Sequence, residues 1–230
     1  MSNNTLLEIL SSREDISEYL FHFTKGINAF KTLIKILNDS ELKDINQNGY
    51  ICFTEAPITT LYNMFQIFGR YNRPMYAPYG IGINKSHLYK IGCRPVIYGT
   101  REDFKHIHKE LYWRCIEYIP EIKDYSWLRE WRLPQNNLIF NPDEIIVITK
   151  TNIEAHSLME TSEDPFDFDG DIGEGQFHGY VSAELRRIYK TISLEDIRNI
   201  CTLSKKELNT LIASQNIGET ETTFLGCFDI

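Results

Sequence analysis

YLFHFT, residues 19–24 of this 230-residue chain, carries the clearest strand pattern in the sequence. Aromatic and polar residues alternate in it, which is typical of a β-strand whose two faces have different surroundings. His22 and Thr24 share one face, whereas Phe21 and Phe23 share the other and would anchor the strand in the core. The pattern by itself fits an amphipathic strand with an incidental polar side, and it also fits a strand that presents His22 and Thr24 to a ligand.

SWLREWRLP, residues 126–134, is the second informative stretch, because it sets Glu130 among two tryptophans and two arginines and ends at a proline. As a strand, REWR places Glu130 and Arg132 on one face and Arg129 and Trp131 on the other. Charges that pair with neighbouring strands would explain this composition. A carboxylate held in a partly dry functional site would explain it equally well.

Short strands and helices follow one another along most of the chain. Helices are predicted over residues 4–18, 28–38, 58–69, 101–119, 193–202 and 204–215. Strands are predicted over residues 19–24, 50–54, 80–84, 95–98, 129–133 and 144–149. Because the strands outnumber what a strict βαβ alternation needs, we expect an α+β fold in which helices lie between small sheets.

Charge is distributed unevenly along the chain. Residues 1–150 carry 18 Lys and Arg against 17 Asp and Glu, whereas residues 151–230 carry 6 against 15. We therefore expect a core domain with an N-terminal helix over residues 1–150. Residues 151–230 are predicted to form an acidic loop and a C-terminal helical extension packed on that core. Residues 51–100 hold five basic residues and one acidic residue, so the net charge of −8 does not exclude a nucleic-acid partner.

The residue patterns of secreted, membrane-spanning and metal-binding proteins are not found in this sequence. The five cysteines form no close pair, no secretory signal is recognisable and no apolar run would span a membrane, which predicts a cytoplasmic protein with reduced thiols. The acidic stretch 161–175 spaces its aspartates like a calcium loop, but Ile172 and His178 stand where that loop needs glycine and glutamate. His106 and Glu110 are one helical turn apart without further converging ligands. No metal site is expected.

The order of the pieces resembles the ADP-ribosyltransferase superfamily. An aromatic-His-aromatic-Thr strand is followed by a helix and the strand GYICFTEAP, then by GIGINK and PVIYG, and finally by EWR before an apolar strand. Within the superfamily the likeness is to the DarT-like and AbiGi-like branches of bacterial toxin and phage-defence systems, and it covers roughly residues 19–150. It implies an ADP-ribosyltransferase-like small split β-sheet with flanking helices, here followed by the C-terminal helical extension.

The resemblance also implies a chemistry, in which the bond from nicotinamide to ribose in NAD is cleaved and ADP-ribose is passed to a nucleophile. Glu130 stands in the catalytic position, where its carboxylate would stabilise an oxocarbenium-like transition state. It could also help to deprotonate the acceptor. His22 matches the first-strand histidine that fixes a ribose hydroxyl, with Thr24 beside it. On this interpretation Glu130 is surrounded by apolar and cationic groups because it must stay ionised beside the diphosphate.

Other NAD contacts implied by the resemblance are less sharply defined in the sequence. DarT-like enzymes carry an arginine shortly after the second strand, where ICFTEAPITT has none, and Arg70 and Arg73 further on are the candidates to replace it. An aromatic ring is expected to stack on nicotinamide, and Phe53, Tyr62 and Tyr79 are the candidates.

Two functions of different class follow from these patterns. The leading prediction is an NAD-dependent ADP-ribosyltransferase, a toxin or phage-defence effector that modifies a macromolecule, with nucleic acid preferred to protein and no membrane partner. The alternative is a non-catalytic binding or regulatory module on the same fold, such as an antitoxin or immunity component. A regulatory or antitoxin protein is also a possible partner of the enzyme. RNA 2′-phosphate transfer would need a concentrated basic pocket that the sequence does not display.

Overall fold

A seven-stranded mixed sheet forms the centre of the computed structural model, which describes residues 17–159, 167–172, 175–180, 189–201, 206, 207 and 210. In spatial order its strands are β13 (Lys190–Ser193), β10 (Ile145–Thr149), β4 (Gly80–Asn84), β1 (Tyr19–Phe23), β3 (Ile51–Thr54), β8 (Glu130–Leu133) and β5 (Arg94–Pro95). Neighbouring strands are antiparallel except β10 and β13, which are parallel. The predicted α+β class is confirmed by this mixture of helices and mainly antiparallel strands.

Smaller ribbons and helices surround the central sheet. The ribbons pair β2 (Glu41–Lys43) with β9 (Asn137–Ile139), β6 (Ile97–Gly99) with β7 (Cys115–Glu117), and β11 (Asp167–Ile172) with β12 (Gly175–Tyr180). The α-helices are α1 (Ala29–Asp39), α2 (Ile58–Phe68), α3 (Lys85–Lys90), α4 (Arg101–Phe104), α5 (Asn152–Met159) and α6 (Leu194–Cys201). Short 3₁₀ helices span Lys109–Arg114, Ser126–Leu128 and Pro142–Glu144. Among the described residues, none of the helices has the length and apolar character needed to cross a bilayer.

The central sheet is nearly divided between β1 and β3. These two strands are paired through Phe21 and Thr54 alone, whereas β1 pairs with β4 over five residues and β3 pairs with β8 over four. Beyond that contact, the imidazole Nδ1 of His22 donates a hydrogen bond to the carbonyl oxygen of Cys52 at 2.8 Å. A side chain thus bridges the two halves where the backbone ladder is interrupted.

Alternation along β1 supplies a core on each face of the sheet. Leu20 packs in a cluster with Leu33 and Leu37, which lie one turn apart on the buried face of α1. Phe23 packs on the opposite side against Phe65 of α2, with the two ring centroids 4.9 Å apart, and α6 contributes to the same cluster. The strand is therefore held from both faces, which fixes the backbone position of His22.

The structure corrects the helix predicted over residues 101–119. Only the four residues of α4 are α-helical there, and a 3₁₀ helix and strand β7 follow. A capping box at Thr100 starts α4, but neither α4 nor the 3₁₀ helix contains a buried residue. Without an apolar face to bury, a longer helix gains little from packing. Residues 115–117 instead pair in parallel with β6.

Other predicted boundaries change as well. The strand predicted over 129–133 begins at Glu130, because Arg129 has a left-handed backbone with φ of 46°. The segment predicted over 95–98 is divided between β5 and β6. Residues 167–172, predicted as part of an acidic loop, form β11. Strand β13 is not predicted from the sequence. It pairs with β10 in the main sheet, so residues beyond 150 complete that sheet. The helices predicted over 4–18 and 204–215 lie almost entirely outside the described residues.

Candidate functional site

A cavity of about 600 Å³ lies where β1 and β3 diverge. Its volume is in the range of pockets that bind small molecules. Both halves of the sheet line it, with His22 and Thr24 from the end of β1, Phe53 from β3 and Glu130 from β8. The surrounding walls are formed by one face of α1, the segment from β2 to β3, and residues of and after α2. Residues that are distant in sequence therefore meet in one cavity.

His22 offers the cavity a hydrogen-bond acceptor. A carbonyl oxygen can only accept, so the bond to Cys52 requires the proton on Nδ1 and leaves Nε2 unprotonated in the neutral ring. Burial lowers the pKa of His22 below 6.5, and this effect outweighs the opposite effect of the Cys52 carbonyl, while the charge of Lys25 lowers the pKa further. At neutral pH the imidazole is therefore uncharged, with its tautomer set by the sheet.

Glu130 is positioned by a tight connection to β3. Thr54 pairs with Glu130 in the sheet, and its hydroxyl donates to the carbonyl oxygen of Leu128 while it accepts from the amide of Ala56 at 3.1 Å. The left-handed backbone at Arg129 then turns the chain into β8. These contacts fix the backbone at the first residue of the strand, where Glu130 lines the cavity.

Arg132 holds the Glu130 carboxylate in place. Its Nε donates to Glu130 Oε1 at 2.7 Å, and the two side chains are only 11% and 14% exposed. The guanidinium also donates to the carbonyl oxygen of Trp113 at 2.6 Å and lies 4.2 Å from the centroid of the Tyr50 ring. Since Arg132 is anchored on three sides, it presents Glu130 in one orientation and satisfies one of the two carboxylate oxygens.

Cys52 lies beside this pair but is not a nucleophile. Burial raises the pKa of its thiol to about 12, and the negative charge of Glu130 acts in the same direction. The thiolate is the reactive form of cysteine, so a thiol with this pKa stays protonated and unreactive at neutral pH. Its role is to fill the wall between His22 and Glu130.

Glu55 supports the site from outside the cavity. Its Oε1 accepts from Lys85 Nζ at 2.7 Å and its Oε2 accepts from Trp131 Nε1 at 2.8 Å. These bonds link β3, β8 and α3 on the other side of the strand that carries Glu130. This role is not predicted from the sequence, although Glu55 is the one acidic residue among residues 51–100 and a tryptophan N–H needs an acceptor when it is buried.

Four of the eight residues predicted to form the site line the cavity: His22, Thr24, Phe53 and Glu130. Phe53 lies next to His22, with ring centroids 6.0 Å apart in an edge-on arrangement. Thr24 is buried and its hydroxyl donates to the carbonyl oxygen of Tyr79 at 2.8 Å. Because this bond uses the hydroxyl hydrogen, Thr24 contributes a contact within the fold.

The other four, Tyr62, Tyr79, Arg70 and Arg73, do not line this cavity. Tyr79 precedes β4, on the side of β1 away from the division, and its hydroxyl donates to Glu154 at 2.9 Å. It lines a separate cavity of about 470 Å³. Tyr62 is a residue of α2 that packs against the core cluster containing Phe23 and Phe65. Arg70 and Arg73 are exposed in the loop that follows α2, which ends at Phe68.

Aromatic side chains continue from the cavity to the surface. Tyr76 lines the cavity, its ring lies 5.9 Å from that of Phe68, and Phe68 lies 6.4 Å from Trp127. Trp127 is 42% exposed and Tyr71, in the loop after α2, is 63% exposed. We call these four side chains the aromatic rim, and Arg70 and Arg73 lie in the same loop as Tyr71 and Tyr76.

The geometry defines what the cavity can do. His22 Nε2 and the Glu130 carboxylate are hydrogen-bond acceptors, so they suit a ligand rich in hydroxyl groups. The carboxylate can also stabilise a positive charge that develops on the ligand. Within the described part of the chain, no group of three or more His, Cys, Asp or Glu could hold a metal ion. Comparisons of the chain with protein-family models, curated proteins and solved structures found no match.

Proposed function

We propose that this protein is an ADP-ribosyltransferase that binds NAD in the cavity between the two halves of its sheet. The observation that carries the proposal is the meeting of His22 and Glu130, 108 positions apart in sequence, in one cavity of about 600 Å³. A ribose presents adjacent hydroxyl groups, and both side chains offer acceptors to such donors. The bridge from His22 to Cys52 and the Arg132 contact hold these acceptors before any ligand arrives.

The same groups suit the chemistry of the transfer. When the bond from the ribose C1′ to the nicotinamide nitrogen breaks, its electron pair leaves with nicotinamide and positive charge grows on the ribose. The Glu130 carboxylate is oriented in advance, so it stabilises this charge without reorganising. The acceptor's nucleophile then forms a bond to C1′, and its proton passes to Glu130 or to water. Phe53 provides an apolar ring close to the reacting centre.

Nucleic acid is the preferred acceptor, ahead of protein. The aromatic rim leads from the cavity to a loop whose two arginines, Arg70 and Arg73, form no ion pair with residues that the structure describes. Exposed aromatic rings next to unneutralised cations are the features that bind single strands, because bases stack on the rings while the cations attract phosphates. A modification of nucleic acid would suit a toxin or phage-defence effector.

A transfer assay tests the proposal directly. Purified protein is incubated with NAD labelled in the adenylate phosphate, alone and with single-stranded DNA, RNA or cell lysate, and both nicotinamide release and label on each macromolecule are measured. Transfer of label to DNA or RNA supports the proposal, and transfer to lysate protein alone replaces nucleic acid by protein as the acceptor. Binding of NAD without turnover would indicate a non-catalytic regulatory module, and absence of NAD binding would reject the proposal.

A matched pair of variants tests the rim. Trp127→Ala is expected to weaken binding of a labelled single strand by about 1–3 kcal/mol, the usual contribution of one stacked base. The control is Tyr112→Ala, a ring of similar exposure (45% against 42%) on the Lys109–Arg114 helix, outside the aromatic rim. Fluorescence anisotropy measures both affinities. Equal effects of the two substitutions would remove the rim from the acceptor site.

A further inference from the structure

Lys25 is a cation fixed at the edge of the cavity. It lies two residues after the end of β1 and lines the cavity together with His22 and Thr24. The backbone is pinned on both sides of it, because the amide of Thr24 donates to Tyr79 at 2.8 Å and the amide of Gly26 donates to Pro74 at 3.1 Å. The ammonium lies 5.8 Å from the centroid of the Tyr76 ring, which also lines the cavity. The backbone at Lys25 is therefore fixed, and its exposed side chain begins at the edge of the cavity that His22 lines.

Among the described residues, no carboxylate neutralises the charge of Lys25. Arg132 is paired with Glu130, and Lys43, which also lines the cavity, is paired with Glu41 at 2.8 Å and with Asp39 at 3.6 Å. Lys25 forms no ion pair within the ranges that the structure describes, and its charge acts on both His22 and Cys52 in the cavity. Glu130 is compensated by Arg132 and His22 is neutral, so Lys25 places an uncompensated positive charge close to His22, whereas Lys35 of α1 and Asp44 of the segment from β2 to β3 line the cavity on other elements.

We propose that Lys25 binds the diphosphate of the ligand and makes the cavity select nucleoside diphosphates over uncharged nucleosides. This inference rests on the proposed function, in which a ribose is held by His22. An unpaired ammonium next to a ribose site matches the phosphates that a dinucleotide carries on its riboses. Loss of one charge-assisted hydrogen bond would weaken diphosphate binding about tenfold to a hundredfold.

Calorimetry with the full chain tests this assignment. Affinities for ADP-ribose and for adenosine are measured at two salt concentrations for the wild type, Lys25→Met, Lys25→Arg and Lys31→Met. Lys31 is the matched control, because it is an exposed lysine of α1 that does not line the cavity. Lys25→Met should lose about tenfold to a hundredfold for ADP-ribose and much of the salt dependence, while Lys25→Arg and Lys31→Met stay near the wild type and adenosine binding is unchanged.

The outcomes separate this inference from the proposed function. Lys25→Met that binds ADP-ribose as tightly as the wild type, or that loses adenosine binding equally, overturns the role of Lys25 and leaves the proposed function standing. A wild type that binds neither ADP-ribose nor NAD overturns both. Thermal melting of each variant is recorded alongside, and since Lys25 is exposed, an unchanged Tm is expected for Lys25→Met.

Discussion

Replacement of Glu130 by glutamine is expected to abolish ADP-ribosyl transfer while the protein stays folded and still binds NAD. Glutamine keeps the size and the hydrogen-bonding reach of the side chain and removes its charge. The charge matters little while NAD is held by contacts along its length, but it matters as positive charge grows on the ribose. Loss of one preorganised electrostatic partner typically lowers the rate by about 10²–10³, which corresponds to about 2.7–4 kcal/mol in the barrier.

The effect of this substitution on stability follows from the surroundings of Arg132. Removal of one partner from a buried ion pair costs about 3–5 kcal/mol when the other charge is left uncompensated. Here the glutamine oxygen can still accept from Arg132 Nε, and the guanidinium keeps the Trp113 carbonyl and the Tyr50 ring. We therefore expect a loss of about 1–2 kcal/mol, near the difference between a charged and a neutral hydrogen bond. In a domain of this size, Tm would fall by about 2–8 °C.

Glu55→Gln is the matched control for this experiment. Glu55 is a partly buried carboxylate with a lysine partner at 2.7 Å, it lies in the segment that follows β3, and it does not line the cavity. A similar loss of stability is expected, with turnover within about threefold of the wild type. Nicotinamide release, label transfer, NAD affinity and melting are measured on both variants. Wild-type turnover in Glu130→Gln would exclude the carboxylate from catalysis, and equal loss of turnover in both variants would attribute the effect to stability.

Two further predictions concern the strands around the division. Because burial lowers the pKa of His22, its neutral form stabilises the fold and accepts from the ligand above pH 6.5, and both contributions should be lost as pH falls through the lowered pKa. NAD affinity and urea unfolding measured from pH 8 to pH 5 check this, with His22→Asn as the variant that should lose the pH dependence, and equal affinity across the range would contradict it. Gly82→Ala would place a Cβ 2.6 Å from the buried ring of Phe21, so we expect the free energy of unfolding to fall by about 1–3 kcal/mol. Urea denaturation measures this, and an unchanged midpoint would mean that Phe21 does not pack against β4 as described.

Most of the central strands could be predicted from local pattern. The alternation in YLFHF and the apolar run in EIIVIT survive in the fold as β1 and β10, because each burial pattern there is set by residues next to one another in sequence. Helices α1 and α2 begin and end within a residue of their predicted bounds. The prediction of a helix over 101–119 is wrong. A helical pattern forms a stable helix where tertiary contacts bury one of its faces, and neither Arg101–Phe104 nor Lys109–Arg114 contains a buried residue.

The site was predictable only in part, for a related reason. His22 in an aromatic strand and Glu130 in a charged strand can be recognised as site candidates, because packing of a core requires neither residue. In the sequence, Lys25 is only a cation close to the end of that strand. The sequence also does not show whether Arg132 pairs with Glu130 or with a charge on a neighbouring strand. Distance along the chain is the only ground in the sequence for Arg70 and Arg73, and that distance says little about whether a loop turns toward a cavity.

The α+β class, the position of the main strands and the face of β1 that carries His22 can be read from the chain, since they depend on side-chain periodicity and turn residues close by. The meeting of His22 and Glu130 depends on the arrangement of the strands in space. β1 lies between β3 and β4, and β8 lies beside β3, so the order of strands in space differs from their order in sequence. Strands β1 and β3 share a single residue pair, and the cavity lies where they separate. There the Cys52 carbonyl accepts from His22 and so selects the tautomer of its ring. Those contacts join residues 30 or more positions apart, and no local pattern of side chains encodes which distant strand will be the neighbour.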